Sequence, residues 1–351
     1  MIKNKFFSLS KTVDIAITNY CNARCPQCHR TNPNGLGAMD WLPMISWSLE
    51  DFTKMFPKES LDDIEEYSFC GTWGDPMMAK DIEKICHYIM DNSKAKILIT
   101  TNGSIRDEDF YWRLGVRCGT RLSIVFDIDG TTEEMHQKYR RGASLEKVLK
   151  NMNTLSQTPA TALSQSIIFK HNQDYLNEIK TLCMKHGSTY HSHELSTRFV
   201  NDKDGKPIPF YYGTDNDYLE KGTFKNTDKI YTSAGNLDAK EVNSCITCLW
   251  AKDNLIAVNP DGQVFPCCYI ATRYYEGERG ISHKVDFDHP TIFRYNKNDN
   301  NLFTKNLIDI VKKGEYLNDI LPNNIANNPY SACIKHCSSI GGTNSVAVKV
   351  Q

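Results

Sequence analysis

Segments with the alternating pattern of a strand and segments with the apolar spacing of a helix follow one another along the first part of the chain. Residues 13–18 alternate apolar and polar side chains, which is typical of a strand, and five similar runs lie at 66–70, 96–100, 121–126, 166–169 and 189–193. Between these runs, apolar residues recur at helical spacing, and helices are predicted from Ser48 and over 82–89, 107–114, 145–152 and 175–186. Strands that alternate with helices predict an α/β fold with a parallel sheet.

The pattern changes in the second part of the chain. Residues 197–244 are polar and show little periodicity, so we expect them to form a connector. Two short apolar runs at 255–258 and 264–265 flank the turn Asn259-Pro260-Asp261-Gly262, which predicts a hairpin, and 302–320 has helical periodicity. The sequence therefore predicts a first domain over 1–196, a connector over 197–244 and a second domain over 245–351.

Composition and net charge bear on the partners and the cellular location that we expect. The chain has 351 residues, of which 40% are hydrophobic, and its formal net charge is −1. A charge so near zero gives no general attraction to nucleic acid or to an anionic membrane, which argues against both as partners. We find neither a signal peptide nor an apolar run of 18 residues, so we expect a cytoplasmic protein.

Three cysteines near the N-terminus carry the strongest chemical signal. Cys21, Cys25 and Cys28 have the spacing Cys-x3-Cys-x2-Cys directly after the first predicted strand. Thiolates suit iron–sulfur clusters, which usually take four of them, so three on one loop would leave one iron of a [4Fe–4S] cluster open for a small molecule. A zinc site with His29 as the fourth ligand is the alternative.

This loop resembles the signature of the radical S-adenosylmethionine (radical SAM) enzymes. The resemblance implies that the open iron binds the amino and carboxylate groups of SAM, and that an electron from the cluster cleaves SAM to methionine and a 5′-deoxyadenosyl radical. That radical takes a hydrogen atom from the substrate. The resemblance also implies a partial (β/α)6 TIM-like barrel, with the site at the carboxyl ends of the strands.

Two motifs at predicted strand ends extend the resemblance. Gly71-Thr72-Trp73-Gly74-Asp75-Pro76 is similar to the Gly-Gly-Glu-Pro motif that binds the SAM amino group, with Asp75 where the family more often has Glu. Thr101-Asn102-Gly103 is similar to a family motif beside cluster and cofactor. The resemblance thus implies cofactor contacts from the residues Gly71, Thr72, Trp73, Gly74, Asp75, Thr101 and Asn102.

Three further positions bear on cofactor binding. Arg140 aligns with an arginine that pairs with the SAM carboxylate, for which a guanidinium fork is well suited. Asp127 stands where the family often has Ser near SAM, and its carboxylate could accept hydrogen bonds from ribose hydroxyls or the amino group. Gln27 replaces the aromatic residue that often precedes the third cysteine, so the adenine contacts are left open.

A second group of cysteines lies near the C-terminus. The spacing of Cys248, Gly262 and the pair Cys267-Cys268 resembles the opening of the auxiliary-cluster domains called SPASM and twitch. The resemblance implies a small α+β domain that binds one auxiliary [4Fe–4S] cluster through Cys248, Cys267, Cys333 and Cys337. Cys245 and Cys268 are rival ligands, and a zinc site that includes Cys245 is the alternative.

The expected activity is oxidation or modification of a small molecule or peptide, begun by hydrogen abstraction. The implied cofactors are SAM and two [4Fe–4S] clusters, with flavodoxin or ferredoxin as electron donor. Only about a dozen residues precede the first strand, which favours a small molecule or a peptide delivered by a partner. Alternatives are a ribosomal-peptide maturase, an RNA-modifying enzyme, and a non-catalytic iron–sulfur or zinc redox sensor. The sequence does not identify an acid or base for catalysis.

Overall fold

A computed structural model describes residues 11–196, 198–213, 217–223, 246, 248–278 and 288–337. The chain divides into two compact units. The larger unit comprises Ala16–Phe52 and Glu66–Lys225, and the smaller unit comprises Met1–Ile15, Thr53–Glu65 and Asn226–Gln351. These units do not follow the linear boundaries expected from the sequence, because the first strand pairs with a strand near residue 255.

The strands of the described residues are β1 Thr12–Ile15, β2 Glu66–Phe69, β3 Lys96–Thr101, β4 Leu122–Asp127, β5 Thr161–Ile168, β6 His191–Leu195, β7 Phe210–Tyr212, β8 Asp217–Leu219, β9 Leu255–Val258 and β10 Val264–Phe265. The α-helices are α1 Leu49–Met55, α2 Lys58–Leu61, α3 Ile82–Asn92, α4 Glu108–Cys118, α5 Glu133–Gln137, α6 Leu145–Ser156, α7 Leu176–Lys185, α8 Leu249–Lys252, α9 Cys268–Glu278, α10 Pro290–Phe293, α11 Leu307–Lys313, α12 Leu321–Asn327 and α13 Ser331–Cys337. No helix of the described residues is long and apolar enough to cross a membrane.

The larger unit contains a parallel sheet. Strands β2 to β6 lie in chain order, each pairs in parallel with the next, and helices connect them. The two outer strands of this set do not pair with each other, so the sheet stays open. The predicted α/β fold class, a partial barrel with a mostly parallel sheet, is confirmed.

The two faces of this sheet differ in polarity. Tyr67, Ile99 and Phe126 point to one face and are fully or almost fully buried. Helices cover that face, as the 5.6 Å separation between the rings of Tyr111 in α4 and Phe126 indicates. The alternate positions point to the opposite face, which is mixed, since Leu163 on it is buried and Gln165 is half-buried. The unit therefore has an apolar face that helices cover and a second face that carries both apolar and polar side chains.

Strands β7 and β8 lie within the segment that the sequence predicts to be a connector. They form an antiparallel hairpin in the larger unit, with Tyr211 opposite Tyr218. Tyr212 and Leu219 of this hairpin are buried in one hydrophobic cluster with Ala23 and Cys25 of the cysteine loop. The hairpin thus packs on the loop that carries the chemistry, a contact that the low periodicity of 197–244 did not indicate.

In the smaller unit, β1 pairs in parallel with β9, and β9 pairs with β10 in the predicted hairpin. Gly262 closes this turn with φ = +79°, a conformation that favours glycine. The helix expected over 302–320 begins later, at Leu307, and ends at Lys313, where Gly314 caps it before a π-helical turn over Tyr316–Ile320. The last described helix, α13, carries Cys333 and Cys337.

Candidate functional site

The cysteine loop is held in place by backbone hydrogen bonds at both ends. The amide of Asp75 donates to the carbonyl of Tyr20 at 2.8 Å, and the amide of Arg24 donates to the carbonyl of Arg141 at 2.8 Å. The amide of Cys28 donates to the carbonyl of Cys25 at 3.0 Å, which forms a turn inside the motif. The three predicted cluster ligands therefore lie on one short loop that two distant segments support.

Burial and nearby N–H groups shape the surroundings of these thiols. Cys25 is buried, and desolvation raises the pKa of its thiol to about 12, against the lowering effect of Arg140. Burial also raises the pKa of Cys21. Such thiols ionise when iron binds them, and N–H groups then stabilise the thiolate sulfur. The Ala23 amide donates to Cys21 Sγ at 3.4 Å, and Asn102 Nδ2, whose shorter hydrogen bonds are to Asp75 and Asn22, lies 3.8 Å from the same sulfur.

Asp75 organises the Thr-Asn-Gly turn at the end of β3. Its carboxylate accepts hydrogen bonds from Thr101 Oγ1 at 2.8 Å, from the Asn102 amide at 2.8 Å, and from Asn102 Nδ2 at 2.7 Å. It also accepts from the Met77 amide at 3.0 Å, and burial raises its pKa to about 6 despite these donors. Since 4% of the residue is exposed, its carboxylate oxygens bond within the protein, and the cofactor contact that the resemblance implies for this motif stays a prediction.

Asn102 continues this network to the cysteine loop. Its Nδ2 donates to Asn22 Oδ1 at 2.9 Å, and its Oδ1 accepts from the hydroxyl of Ser104 at 2.7 Å. Ser104 in turn accepts from Asn22 Nδ2 at 2.9 Å. The structure therefore joins three sequence motifs, those at Cys21, Asp75 and Asn102, in one connected set of hydrogen bonds.

The two glycines before Asp75 allow close backbone approach. A Cβ on Gly74 would lie 2.7 Å from the Tyr20 carbonyl oxygen and nearer still to that of Thr18, and a Cβ on Gly71 would lie 2.5 Å from the Gly74 carbonyl oxygen. Only glycine fits at such positions. Between them, Thr72 Oγ1 lies 3.4 Å from Cys70 Sγ, and Trp73 is fully buried in an edge-to-face contact with Trp41.

Arg140 lies between two carboxylates. Its Nε donates to Asp129 at 2.6 Å and its Nη1 donates to Asp127 at 2.9 Å, and all three side chains are buried. Asp127 also accepts from Gln165 Nε2 at 2.7 Å, and Asp129 from the Ile167 amide at 2.6 Å. Nη2 of Arg140 donates no hydrogen bond to the described residues, and the contact with the SAM carboxylate stays a prediction.

Gln27 is buried beside the third cysteine. Its Oε1 accepts from the hydroxyl of Ser196 at 2.7 Å, and its carbonyl accepts from Arg198 Nη1 at 2.5 Å. Its Nε2 has no hydrogen-bond partner among the described residues. The side chain thus ties the cysteine loop to the segment after β6.

The four cysteines assigned to the auxiliary cluster line one cavity in the smaller unit. The cavity is lined by Cys248, Cys267, Cys333, Cys337 and apolar neighbours such as Trp250 and Ile270. Cys268 is not among the lining residues, and Cys245 lies outside the described residues. The free volume is about 10 Å³. That is room for roughly one water molecule, so a cluster could enter only if lining side chains moved outward.

The thiols of this cavity are buried, and both the auxiliary cluster and the zinc site stay predictions. Burial raises the pKa of Cys248 to about 11 and of Cys333 to about 12. In the described part of the chain, no three His, Cys, Asp or Glu side chains are arranged to hold one metal ion. Zinc ligands converge on one ion, whereas the ligands of a [4Fe–4S] cluster bind different irons and lie farther apart.

Three residues of the first site were not identified from the sequence. Asn22 and Ser104 accompany Asn102, and Gln165 accompanies Asp127. Asn22 lies between two of the cysteines, which was a positional signal for its role. Gln165 lay one residue before the predicted start of its strand, so its direction relative to the sheet was not assigned.

Comparisons with known proteins agree with this geometry. Residues 15–182 match the Radical SAM superfamily. The chain is 24% identical over 253 residues to a GTP 3′,8-cyclase of Clostridium botulinum, covering 70% of this chain and 72% of that protein. It spans 54% of the length of another clostridial GTP 3′,8-cyclase, also at 24% identity.

Solved structures show the same fold at low identity. Streptococcus suis SuiB bound to S-adenosylmethionine has a TM-score of 0.60 at 14% identity, with 95% of this chain and 72% of that chain covered. The structure of anSMEcpe with bound AdoMet and a Cp18Cys peptide has a TM-score of 0.54 at 14% identity, covering 95% and 91% of the chains. From the cysteine loop, the strand-end network and the matching span, we conclude that residues 15–182 form a radical SAM domain.

Proposed function

We propose that this protein is a radical SAM enzyme that oxidises a small polar molecule. The single observation that carries the proposal is the network in which Asp75 and Asn102 connect the strand ends to Cys21. When bound, a [4Fe–4S] cluster supplies the electron that cleaves SAM. Cys21, Cys25 and Cys28 bind the cluster, and Arg140 Nη2 donates to the SAM carboxylate.

Oxidation is favoured by the second set of cysteines. Conversion of an alcohol to a carbonyl removes one hydrogen atom, then one electron and one proton. The hydrogen atom would go to the radical that bound SAM supplies, and the proton to solvent or to a side chain. The electron needs an acceptor, and an auxiliary [4Fe–4S] cluster on Cys248, Cys267, Cys333 and Cys337 would supply one.

The test is SAM cleavage by protein reconstituted without oxygen and reduced with dithionite. We expect 5′-deoxyadenosine from the wild type and none from Cys25→Ala, whereas Cys86→Ala, a buried cysteine of α3, should cleave SAM like the wild type. Unchanged cleavage by Cys25→Ala would contradict the proposal.

The auxiliary cluster has its own test, which is iron content. Cys267→Ala should lower iron from about eight to about four per chain, because each [4Fe–4S] cluster takes four thiolates. Cys268→Ala is the matched control and should keep about eight, since Cys268 does not line the cavity. Equal iron content in both variants would exclude Cys267 as a ligand. One zinc per chain would mean that this site is a structural zinc site, which cannot accept the electron.

Two other activities have a specific observation in their favour. Cyclisation of GTP is favoured by the identity to clostridial GTP 3′,8-cyclases. Modification of a peptide delivered by a partner is favoured by the fold shared with a structure that holds a peptide. Deuterium transfer from labelled GTP or from a labelled peptide into 5′-deoxyadenosine would support the respective alternative over oxidation of a small molecule.

A further inference from the structure

The hairpin of β7 and β8 has an inner face toward the cysteine loop and an outer face toward solvent. On the inner face, Tyr212 and Leu219 belong to the hydrophobic cluster that also contains Cys25. On the outer face, Tyr211 and Tyr218 lie opposite each other across the two strands, and both rings are exposed. The two faces follow from the strand geometry, because successive side chains of a strand point to opposite sides.

The contact between the inner face and the cysteine loop is apolar and closed to solvent. Tyr212 is 4% exposed, Leu219 is fully buried, and Cys25 of the loop is 8% exposed. Cys21 and Cys28 pack against the same cluster. The hairpin forms a two-stranded sheet of its own, so side-chain packing, and not pairing with the main sheet, buries this face.

Hydrogen bonds fix the hairpin in this orientation. The hydroxyl of Tyr212 donates to the carbonyl of Lys138 at 3.2 Å, and the amide of Gly213 donates to the carbonyl of Pro33 at 2.8 Å. The first bond reaches the segment after α5, and the second reaches the segment that follows the cysteine motif. The inner face is therefore held against the loop at more than one point.

Arg141 connects the hairpin with the cysteine loop itself. Its carbonyl accepts from the amide of Arg24 at 2.8 Å. Its guanidinium lies 4.9 Å from the centre of the Tyr212 ring and forms an ion pair with Asp217. Because the backbone of Arg141 holds the loop and its side chain holds the hairpin, the two are kept in a fixed relation.

An apolar cover on this side of the loop has a consequence for a bound iron–sulfur cluster. The surroundings of a cluster and its exposure to solvent set its reduction potential. Reduction adds a negative charge to the cluster, and apolar side chains stabilise that charge less well than water does. Covering one side of the cluster therefore lowers its potential, and opening that side to water raises it.

We propose that the inner face of the hairpin excludes water from the cluster at the cysteine loop, and that Tyr212 and Leu219 are positioning residues that keep its reduction potential low. This inference rests on the proposed function, since it concerns the cluster that the three cysteines of the loop would bind. The outer tyrosines have no part in it.

The test is the reduction potential of the reconstituted full chain, titrated by following the electron paramagnetic resonance signal that changes when SAM is added. We expect a more positive potential in Tyr212→Ala and in Leu219→Ala, because water enters beside the cluster. Tyr211→Ala and Tyr218→Ala, each one residue away on the outer face, are the matched controls and should keep the wild-type potential. Wild-type potentials in both inner-face variants, or the same shift in all four variants, would overturn the proposal.

Tyr212→Phe separates the apolar cover from the hydrogen bond to Lys138. The ring stays in place while the hydroxyl is lost, so we expect the wild-type potential together with a lower unfolding midpoint. A shift as large as that of Tyr212→Ala would mean that the hydrogen bond, and not the exclusion of water, sets the potential, and this would also overturn the proposal.

The rate at which the cluster is lost in air is the second readout. The visible absorbance of the cluster should decay several-fold faster in air-saturated buffer in the inner-face variants than in the outer-face variants, because the cover limits solvent access. Leu219→Val, a smaller change at the same buried position, extends the comparison if an alanine variant does not bind iron. Equal decay rates in inner-face and outer-face variants would contradict the proposal.

SAM cleavage under dithionite by the wild type separates this inference from the proposed function. A wild type that shows neither a cluster signal nor cleavage would refute the proposed function itself. Intact cleavage, with equal potentials in inner-face and outer-face variants, would refute only the role of the hairpin.

Discussion

Asn102 Nδ2 lies 3.8 Å from Cys21 Sγ and 2.7 Å from Asp75 Oδ2. The side-chain amide thus connects a buried carboxylate at the end of one segment with the first thiol of the cysteine loop. Because Asn102 is fixed by Asp75 on one side and by Ser104 on the other, its N–H groups keep their direction when a ligand binds. We regard Asn102 as a positioning residue of the site.

Replacing Asn102 should change the potential of the cluster. An N–H···S bond stabilises the more negative, reduced state, so Asn102→Leu should lower the reduction potential. A hydrogen bond worth about 1 kcal/mol corresponds to roughly 40 mV for one electron. The measurement is a redox titration followed by electron paramagnetic resonance. Asn92→Leu, whose amide bonds only within α3, is the control, and a potential unchanged in Asn102→Leu would exclude this role.

Removing the carboxylate of Asp75 should destabilise the fold as well as weaken SAM binding. Asp75→Ala leaves the Thr101 hydroxyl and the Asn102 amide buried without an acceptor, at about 1–3 kcal/mol each. The measurement is the free energy of unfolding in urea. Asp107→Ala, which removes the N-cap of α4, is the comparison and should cost only about 1 kcal/mol. Full stability with lost SAM affinity would mean that Asp75 is a cofactor ligand only.

A methyl group at Gly74 should disrupt the site. In Gly74→Ala, the Cβ would overlap the carbonyl oxygens of Thr18 and Tyr20, so the backbone at the start of the cysteine loop must move. We expect lower iron content after reconstitution and a lower unfolding midpoint. Gly35→Ala serves as the control, because a Cβ there has no atom within 4 Å. Wild-type iron content in Gly74→Ala would show that the close approach is dispensable.

His191 gives the fold a pH dependence. It is buried between β5 and β6, with Nδ1 2.8 Å from Ser164 Oγ, and burial lowers its pKa from 6.5 to about 4. As the pH falls below 6.5, His191 of the unfolded chain becomes protonated while His191 of the folded chain stays neutral. This favours the unfolded state, so the free energy of unfolding decreases as the pH falls from 6.5 toward 4. At pH 5.5 the loss should be about 1 kcal/mol.

The measurement is the unfolding midpoint of the wild type and of His191→Gln between pH 7.5 and 5.5. The wild type should lose stability relative to the variant over this range. A difference that stays constant with pH would show that His191 does not titrate in this way.

The same histidine explains why one strand was predicted too short. Strand β5 begins at Thr161, but the sequence indicated a strand only from residue 166. Ser164 and Ser166 interrupt the apolar pattern, yet both are buried because they bond to the ring of His191. Serine hydroxyls that hydrogen-bond to a histidine of the neighbouring strand can be buried, and the pattern of apolar residues does not reveal such burial.

The C-terminal cysteines were grouped from their resemblance to auxiliary-cluster domains, and their role as ligands stays a prediction. Cys248, Cys267, Cys333 and Cys337 are distant in sequence, and they line one cavity. The role of Asp75 could not be derived in this way. Its motif indicated a cofactor contact, and only the packing of Asp75 against Thr101 and Asn102 reveals which donors occupy its oxygens.

The measurement that tests the central claim most directly is the electron paramagnetic resonance spectrum of the reduced Cys267→Ala/Cys333→Ala variant, with and without SAM. This variant lacks two of the four proposed auxiliary ligands, Cys267 and Cys333, and keeps Cys21, Cys25 and Cys28. The account predicts a [4Fe–4S] signal that changes when SAM is added, because one iron has no protein ligand. No cluster signal, or a signal unaffected by SAM, would contradict the assignment of the cysteine loop.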